Sequence, residues 1–151
     1  KYQVDVLEYE GKWLDPGKFD DWMETNQFMV DYLVSENEIK SKYGEDVVIE
    51  GKVHFGSGCV LERSFVKGPV IIGDNVSVKD SYLGPSTVIS EGCRIEGAHI
   101  ENSEIMEKVI INKFTDHISS SLIGPESELT NSEKQKREIS FFIGAKSKIT
   151  V

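Results

Sequence analysis

The stretch VVIEGKVHFGSGCVLERSFVKGPVIIGDNVSVKDSYLGPSTVISEGCRIEGAHI, residues 47–100, carries bulky apolar residues in three columns that each return after 17 positions. Ile49, Val66, Leu83 and Ile100 form the first, Phe55, Ile72 and Ile89 the second, and Leu61, Val78 and Ile95 the third. The steps around one return are 6, 6 and 5 residues. A helix of 3.6-residue period does not keep such steps, and a hairpin sheet does not keep a 17-residue return. A triangular coil does. Each turn supplies three short strands, and successive turns stack in parallel about 4.8 Å apart, so each column becomes a ladder inside the coil.

Two positions before each bulky residue stands a small or β-branched one, as at Val47, Val53, Cys59, Ser64, Val70, Val76, Ser81, Thr87, Cys93 and Ala98. Glycine follows the bulky residue at Gly56, Gly73, Gly84, Gly124 and Gly144, where a missing Cβ is expected to permit the tight corner between strands. Beyond Ile100 the register drifts through Ile105, Ile111 and Ile118, then recovers at Ile123 and Leu129. The next column residue is read as Ile143, with a last partial coil from Phe141 to Val151. Between them NSEKQKRE, Asn131 to Glu138, is too polar for the core and reads as a protruding, solvated loop at about 130–140.

The formal charge of -9 sets a field that repels phosphate backbones and argues against nucleic-acid binding. No stretch approaches the roughly 18 uninterrupted apolar residues of a membrane span, and KYQVDVLEYEGKW has no signal-peptide pattern. A soluble, cytoplasmic protein is expected, with no membrane partner. Cys59 and Cys93 are too few for a disulfide framework and lack metal-ligand spacing, so they read as small core residues.

The first 34 residues do not share the period. Val4 to Tyr9 alternates as a strand would, and Gly11 to Gly17 is turn-rich. From Asp20, the spacing of Trp22, Asn26, Met29 and Leu33 predicts one helical face, widened by Met23 and Val30. Asp20 and Asp21 suit the first turn, where negative charge meets the helix dipole. The domain reading is therefore a strand-loop-helix piece over 1–34, a polar linker over 35–46, and coils over 47–151.

The phased columns resemble the left-handed parallel β-helix of the hexapeptide-repeat proteins; the handedness comes from that resemblance. Gly11-Lys12-Trp13-Leu14-Asp15-Pro16-Gly17-Lys18 followed by Asp21-Trp22-Met23-Glu24-Thr25-Asn26 resembles the G-x-W-x-D-T-G-K and D-L-L-E-A-N run near the end of the catalytic domain of glucose-1-phosphate thymidylyltransferases. The coils resemble the C-terminal β-helix of the long form of that family, in the runs Arg63 to Pro69, Asp80 to Pro85 and Ser121 to Gly124. The fold class implied is mainly β, a left-handed β-helix preceded by the remnant of an α/β nucleotidyltransferase domain.

The resemblance implies a parent enzyme that joins a nucleoside triphosphate, typically dTTP, to glucose 1-phosphate with release of pyrophosphate. Mg²⁺ is its cofactor, Asp15 a metal ligand and Trp13 a candidate for lining the sugar site. Pro16 stands where the family has Thr, removing a hydroxyl and a backbone N-H. The family's glycine-rich nucleotide loop, its phosphate-binding Arg and Lys and its second metal carboxylate are expected upstream of Lys1, in a longer protein. The 151 residues alone are then expected to hold no complete catalytic set and to be inactive. A homo-oligomer, by family resemblance often a trimer, is expected of the coils.

The rival class is the hexapeptide acyltransferase, which uses acyl-CoA and a His base. His54 and His99 directly precede column residues and should point outward, whereas His117 falls in the drift and is the candidate for that role. No loop interrupts the coils between Ile49 and Ile100, unlike the protruding loop common in such transferases.

Overall fold

A computed structural model describes residues 4–34, 45–130 and 138–150. Its strands are short, parallel and stacked as a left-handed β-helix of about 6 turns. The first column runs Ile49, Val66, Leu83, Ile100, Ile118, Ile139 through successive parallel pairings. The second runs Phe55, Ile72, Ile89, Ile105, Ile123, Ile143, and the third Leu61, Val78, Ile95, Ile111, Leu129, Ile149. From the second coil to the fifth these residues are almost wholly buried, and they meet in one continuous core. Ile49, Phe55, Ile139, Ile143 and Ile149, in the two end coils, are only partly covered.

The apparent drift after Ile100 is not a loss of register. Ile105 pairs with Ile89, Ile111 with Ile95 and Ile118 with Ile100. The fourth coil takes steps of 5, 6 and 7 residues, and the changes fall at corners, outside the paired positions. The first corner is tight because the strand His99–Ile105 keeps its pairing on both sides of it and bends at Asn102, with a φ of 45°. His117–Ile123 repeats this one coil later, at Ser120. These two strands join two faces of the prism into a 10-stranded sheet, while the third face is a 6-stranded sheet. The last coil also begins earlier than the sequence suggests. Glu138–Ile139 pairs with His117 and Ile118, so the column residue after Leu129 on the first face is Ile139, not Ile143. The expected linker at 35–46 and the loop at Asn131 to Glu138 lie, apart from Glu45, Asp46 and the backbone of Glu138, outside the described residues.

Corner chemistry repeats as regularly as the core. Gly58, Asn75, Gly92, Lys108, Glu126 and Lys146 all sit in the left-handed region, with φ between 55° and 70°. Glycine and asparagine tolerate that region best, and the later coils hold it with Lys and Glu. The glycines after the column residues serve another purpose. A Cβ on Gly56 would stand 2.5 Å from the amide nitrogen of Asp74, and one on Gly124 2.5 Å from the carbonyl carbon of Gly144. Their missing side chains admit the backbone of the next coil.

Polar groups inside the coil are paired along the stack. Ser64 Oγ donates to the Glu62 carbonyl and accepts the N-H of Ser81, whose own hydroxyl donates to Lys79 and accepts the N-H of Ala98. Such ladders remove the cost of a buried hydroxyl, about 1–3 kcal/mol when left unpaired.

Cys59, Val76 and Cys93 occupy one column, joined by the bonds from the Val60 amide to the Val76 carbonyl and from the Ser77 amide to the Cys93 carbonyl. Both thiols are buried and reduced, Cys59 donating to the Gly73 carbonyl and Cys93 to that of Met106, and burial pushes Cys93 up to about 11. Two coil spacings separate their Cα atoms by roughly 9–10 Å, beyond the about 7 Å limit for a disulfide. Oxidation of the native protein should therefore form no Cys59–Cys93 bond, and alkylation followed by mass spectrometry should modify Cys93 only after unfolding. Prompt labelling of Cys93 in the native state would show that this column is not interior.

The helix Phe19–Leu33 lies against the outside of the coil. Met23, Asn26 and Val30 are buried, followed by Val34 just past the helix. Trp22 Nε1 donates to Glu104 Oε2 at 2.6 Å, and Asn26 Nδ2 to the Ser86 carbonyl at 3.3 Å. The buried face is thus rotated from the predicted one, since Met29 and Leu33 are exposed. The predicted strand over Val4 to Tyr9 does not form. Its residues are irregular and open to solvent, because alternation supplies a pattern but no partner ladder. Among the described residues no helix is long and apolar enough to cross a membrane.

Candidate functional site

Stacked in-register strands bring outward residues as close together as inward ones. On the first face the outward column is Val48, Phe65, Tyr82, His99 and His117. The coil spacing suits ring contacts: centroids are 5.5 Å apart for Phe65 and Tyr82, 4.4 Å for Tyr82 and His99, and 4.2 Å for His99 and His117. Burial raises the pKa of the Tyr82 phenol, with smaller contributions from Glu101 and Glu50.

One step outward along the same strands lies a second column in which Gly84 is followed by Glu101 and Ser119. A Cβ at Gly84 would meet Glu101 Cβ at 2.6 Å and Oε2 at 2.9 Å, so the glycine leaves room for the carboxylate to lie across the face. Glu101 Oε1 reaches His117 Nε2 at 3.2 Å. With His99 these residues put three possible donor atoms within 4.8 Å of one another. Beside the column runs an open groove of about 520 Å³, bordered by Arg63, Phe65, Asp80, Tyr82, His99 and Phe114. Arg63 donates twice to Asp80, at 2.7 and 2.9 Å, which raises the guanidinium pKa and lowers that of the exposed carboxyl.

A second candidate lies at the other end of the chain. Lys12, Trp13, Leu14, Asp15, Lys18, Asp21, Glu24 and Thr25 line an open depression of about 550 Å³. Asp15 is exposed, with Oδ1 close enough to Gly17 that a Cβ there would sit 3.3 Å away. Trp13 is 76% exposed and so is not packed into a core within this chain. Lys12 Nζ lies 4.2 Å over the Phe28 ring and 3.9 Å from Glu24 Oε1. The loop therefore presents hard oxygen donors, two lysines and an open aromatic surface side by side. Those are groups suited to Mg²⁺ and to a phosphorylated sugar.

The sequence-derived residues thus separate into two places, Trp13 and Asp15 in the depression and His117 on the coil face. His54 and His99 point outward as expected, and His117 joins them, directly above His99 in register. The trio of His99, Glu101 and His117 was not read from the sequence. Its signal is an H-x-E step on one strand face with a second histidine one coil later, which the shift of the fourth coil from 17 to 18 residues conceals.

No protein-family model matches the chain. Comparison with known proteins nevertheless finds clear relatives. The chain is 33% identical over 148 residues to a glucose-1-phosphate thymidylyltransferase of Streptomyces antibioticus, covering 98% of this chain and 41% of that protein. It is 30% identical over 121 residues to the protein of the same name from Streptomyces griseus, covering 80% and 33%. It is 32% identical over 137 residues to the low-salt glycan biosynthesis nucleotidyltransferase Agl11 of Haloferax volcanii, covering 87% and 37%. The chain spans between 33% and 41% of the length of these curated relatives.

Proposed function

The homologues of this chain are sugar-phosphate nucleotidyltransferases along nearly its whole length, and we propose that it is the C-terminal part of one, the β-helix serving assembly and regulation. The observation that carries the reading is the match over 98% of the chain to a thymidylyltransferase, which spans both the Asp15 loop and the coils. The reaction proposed for the parent is dTTP plus glucose 1-phosphate giving dTDP-glucose and pyrophosphate.

In that parent the oxygen atom of the sugar phosphate attacks the α-phosphorus in line, and pyrophosphate leaves from the opposite side. The Asp15 loop contributes positioning and electrostatics. Asp15 would hold Mg²⁺, which when bound supplies neutralisation of the charge gathering on the phosphates. Lys12 and Lys18 border the same depression and offset its carboxylates. Trp13 offers an apolar surface of the kind a sugar ring packs against. The remaining phosphate-binding groups belong to the preceding catalytic domain in this reading. Acyl transfer is the weaker alternative, since the relatives just named act on nucleotides rather than acyl groups.

Ile49, Phe55, Ile139, Ile143 and Ile149 in the end coils are only partly buried, and parallel coils pack readily side by side. We propose a homo-oligomer, with a trimer as the first expectation on the family resemblance alone. The 151-residue chain, given dTTP, glucose 1-phosphate and Mg²⁺, should release no pyrophosphate above background while the full-length protein does, and its sedimentation should report a multiple of the chain mass. Turnover by the isolated chain, or an inactive full-length protein, would overturn this reading.

A further inference from the structure

We propose that His99, Glu101 and His117 form a binding site for a divalent transition-metal ion of the Zn²⁺ type, stapling the fourth coil of the β-helix to the fifth. The ligand set is two imidazoles and one carboxylate, a combination that favours zinc and its neighbours over Mg²⁺ or Ca²⁺. The three donors come from two strands whose register is fixed by parallel pairing, His99 with His117 and Glu101 with Ser119. Their spread is right. Tetrahedral coordination at about 2.0–2.1 Å places neighbouring donors roughly 3.3 Å apart, and Glu101 Oε1 and His117 Nε2 stand 3.2 Å apart already. All three donor atoms lie within 4.8 Å of one another, and the exposed ring of His99 needs only a small swing to close the set.

Supporting groups hold the ligands in place. The Tyr82 ring packs edge-on against His99, limiting its rotation. Gly84 leaves the space in which the Glu101 carboxylate lies. Glu101 and His117 are two-thirds or more covered, at 33% and 26% side-chain exposure, so the pair is shielded without being sealed from solvent. Three protein ligands leave a fourth position to water, and any proton on His117 Nε2 passes to solvent as the ion takes its place. The position in the fold gives the staple a purpose, because the chain between the paired Ile111 and Ile118 makes the longest step of the first four coils. Neither thiol competes for the ion, since Cys59 and Cys93 are buried in the interior and Cys93 is held at about 11.

The test is a Zn²⁺ titration of the untagged 151-residue chain against a chromogenic chelator, with Co²⁺ as a spectroscopic stand-in. One equivalent should bind, unaffected by millimolar Mg²⁺, and Co²⁺ should give the visible bands of four-coordinate geometry. His117→Gln and His99→Gln should each weaken binding by at least about tenfold and abolish those bands, while His54→Gln changes nothing. Gly84→Ala, which crowds Glu101 without removing a ligand, should also weaken binding. Zn²⁺ should raise the melting temperature of the wild type but not of His117→Gln, with metal-free melting curves showing that the variants fold. Absence of Zn²⁺ binding, or undiminished binding in the folded His117→Gln variant, would remove the site.

Discussion

In the full-length protein, Asp15→Ala is expected to lower nucleotidyl-transfer turnover by about a hundredfold or more, the scale of losing one preorganised group that meets developing charge. The exposure of Asp15 decides what the experiment can show. Its side chain is open to solvent, so little apolar packing is lost and the melting temperature of the protein should hardly move. The fall should lie chiefly in kcat, because neutralisation of the departing pyrophosphate is needed most in the transition state. Trp13→Ala should behave differently, raising KM for the sugar phosphate more than it lowers kcat, since it would remove a surface that substrate and transition state share. Partial rescue of Asp15→Ala by raised Mg²⁺ would agree with a weakened metal site. Near-normal turnover at ordinary Mg²⁺ would detach Asp15 from the chemistry and return it to a turn residue.

The core of the β-helix is written in the sequence with little ambiguity because parallel stacking demands periodicity from every coil at once. Ile49, Val66, Leu83 and Ile100 keep their column because one misplaced residue would turn a chain of side chains from core to solvent. The corners carry no such demand. A residue gained or lost there changes the spacing without changing what is buried, which is why Ile105, Ile111 and Ile118 read as drift although they are in register. Ile139 escaped for a related reason: it stands more than six positions beyond Leu129, and counting by sixes passes over it.

The outer parts were less legible because their structure depends on partners that a pattern does not name. The helix Phe19–Leu33 was visible, but its buried face was fixed by what it meets on the coil, namely Glu104 through Trp22 and Ser86 through Asn26. Val4 to Tyr9 alternates without a neighbouring strand and stays open. The Asp15 loop was legible through its resemblance, whereas the trio of His99, Glu101 and His117 was hidden by the same 18-residue coil that looked like drift. Once the pairing is known the trio follows from strand geometry alone, since positions i, i+2 and the next rung share a face.

The largest expected effect on stability is that of Val76→Asp, which should destabilise the coil by roughly 3–5 kcal/mol near neutral pH, the scale of an uncompensated buried charge. Val76 is 1% exposed and lies between Cys59 and Cys93 in the small column, so an aspartate there would find two thiols and no cation. Burial disfavours the ionised form and raises the carboxyl's pKa in the folded state above about 3.9, its unfolded value. Between those two values the folded state binds more protons than the unfolded, so stability falls as pH rises through that window. The penalty should therefore be smallest in acid and reach its full size above the folded-state pKa. Val76→Ser is the matched control, because the same column ends in Ser127 and Ser147, and Ser127 Oγ there donates to the Gly144 carbonyl. Serine should cost less than half as much as aspartate and show no such pH dependence. Denaturant melts of both variants at pH 4.5 and 8 would measure the difference. Equal, pH-independent losses would mean that position 76 reaches water, which the stacking of the second coil between the first and third does not allow.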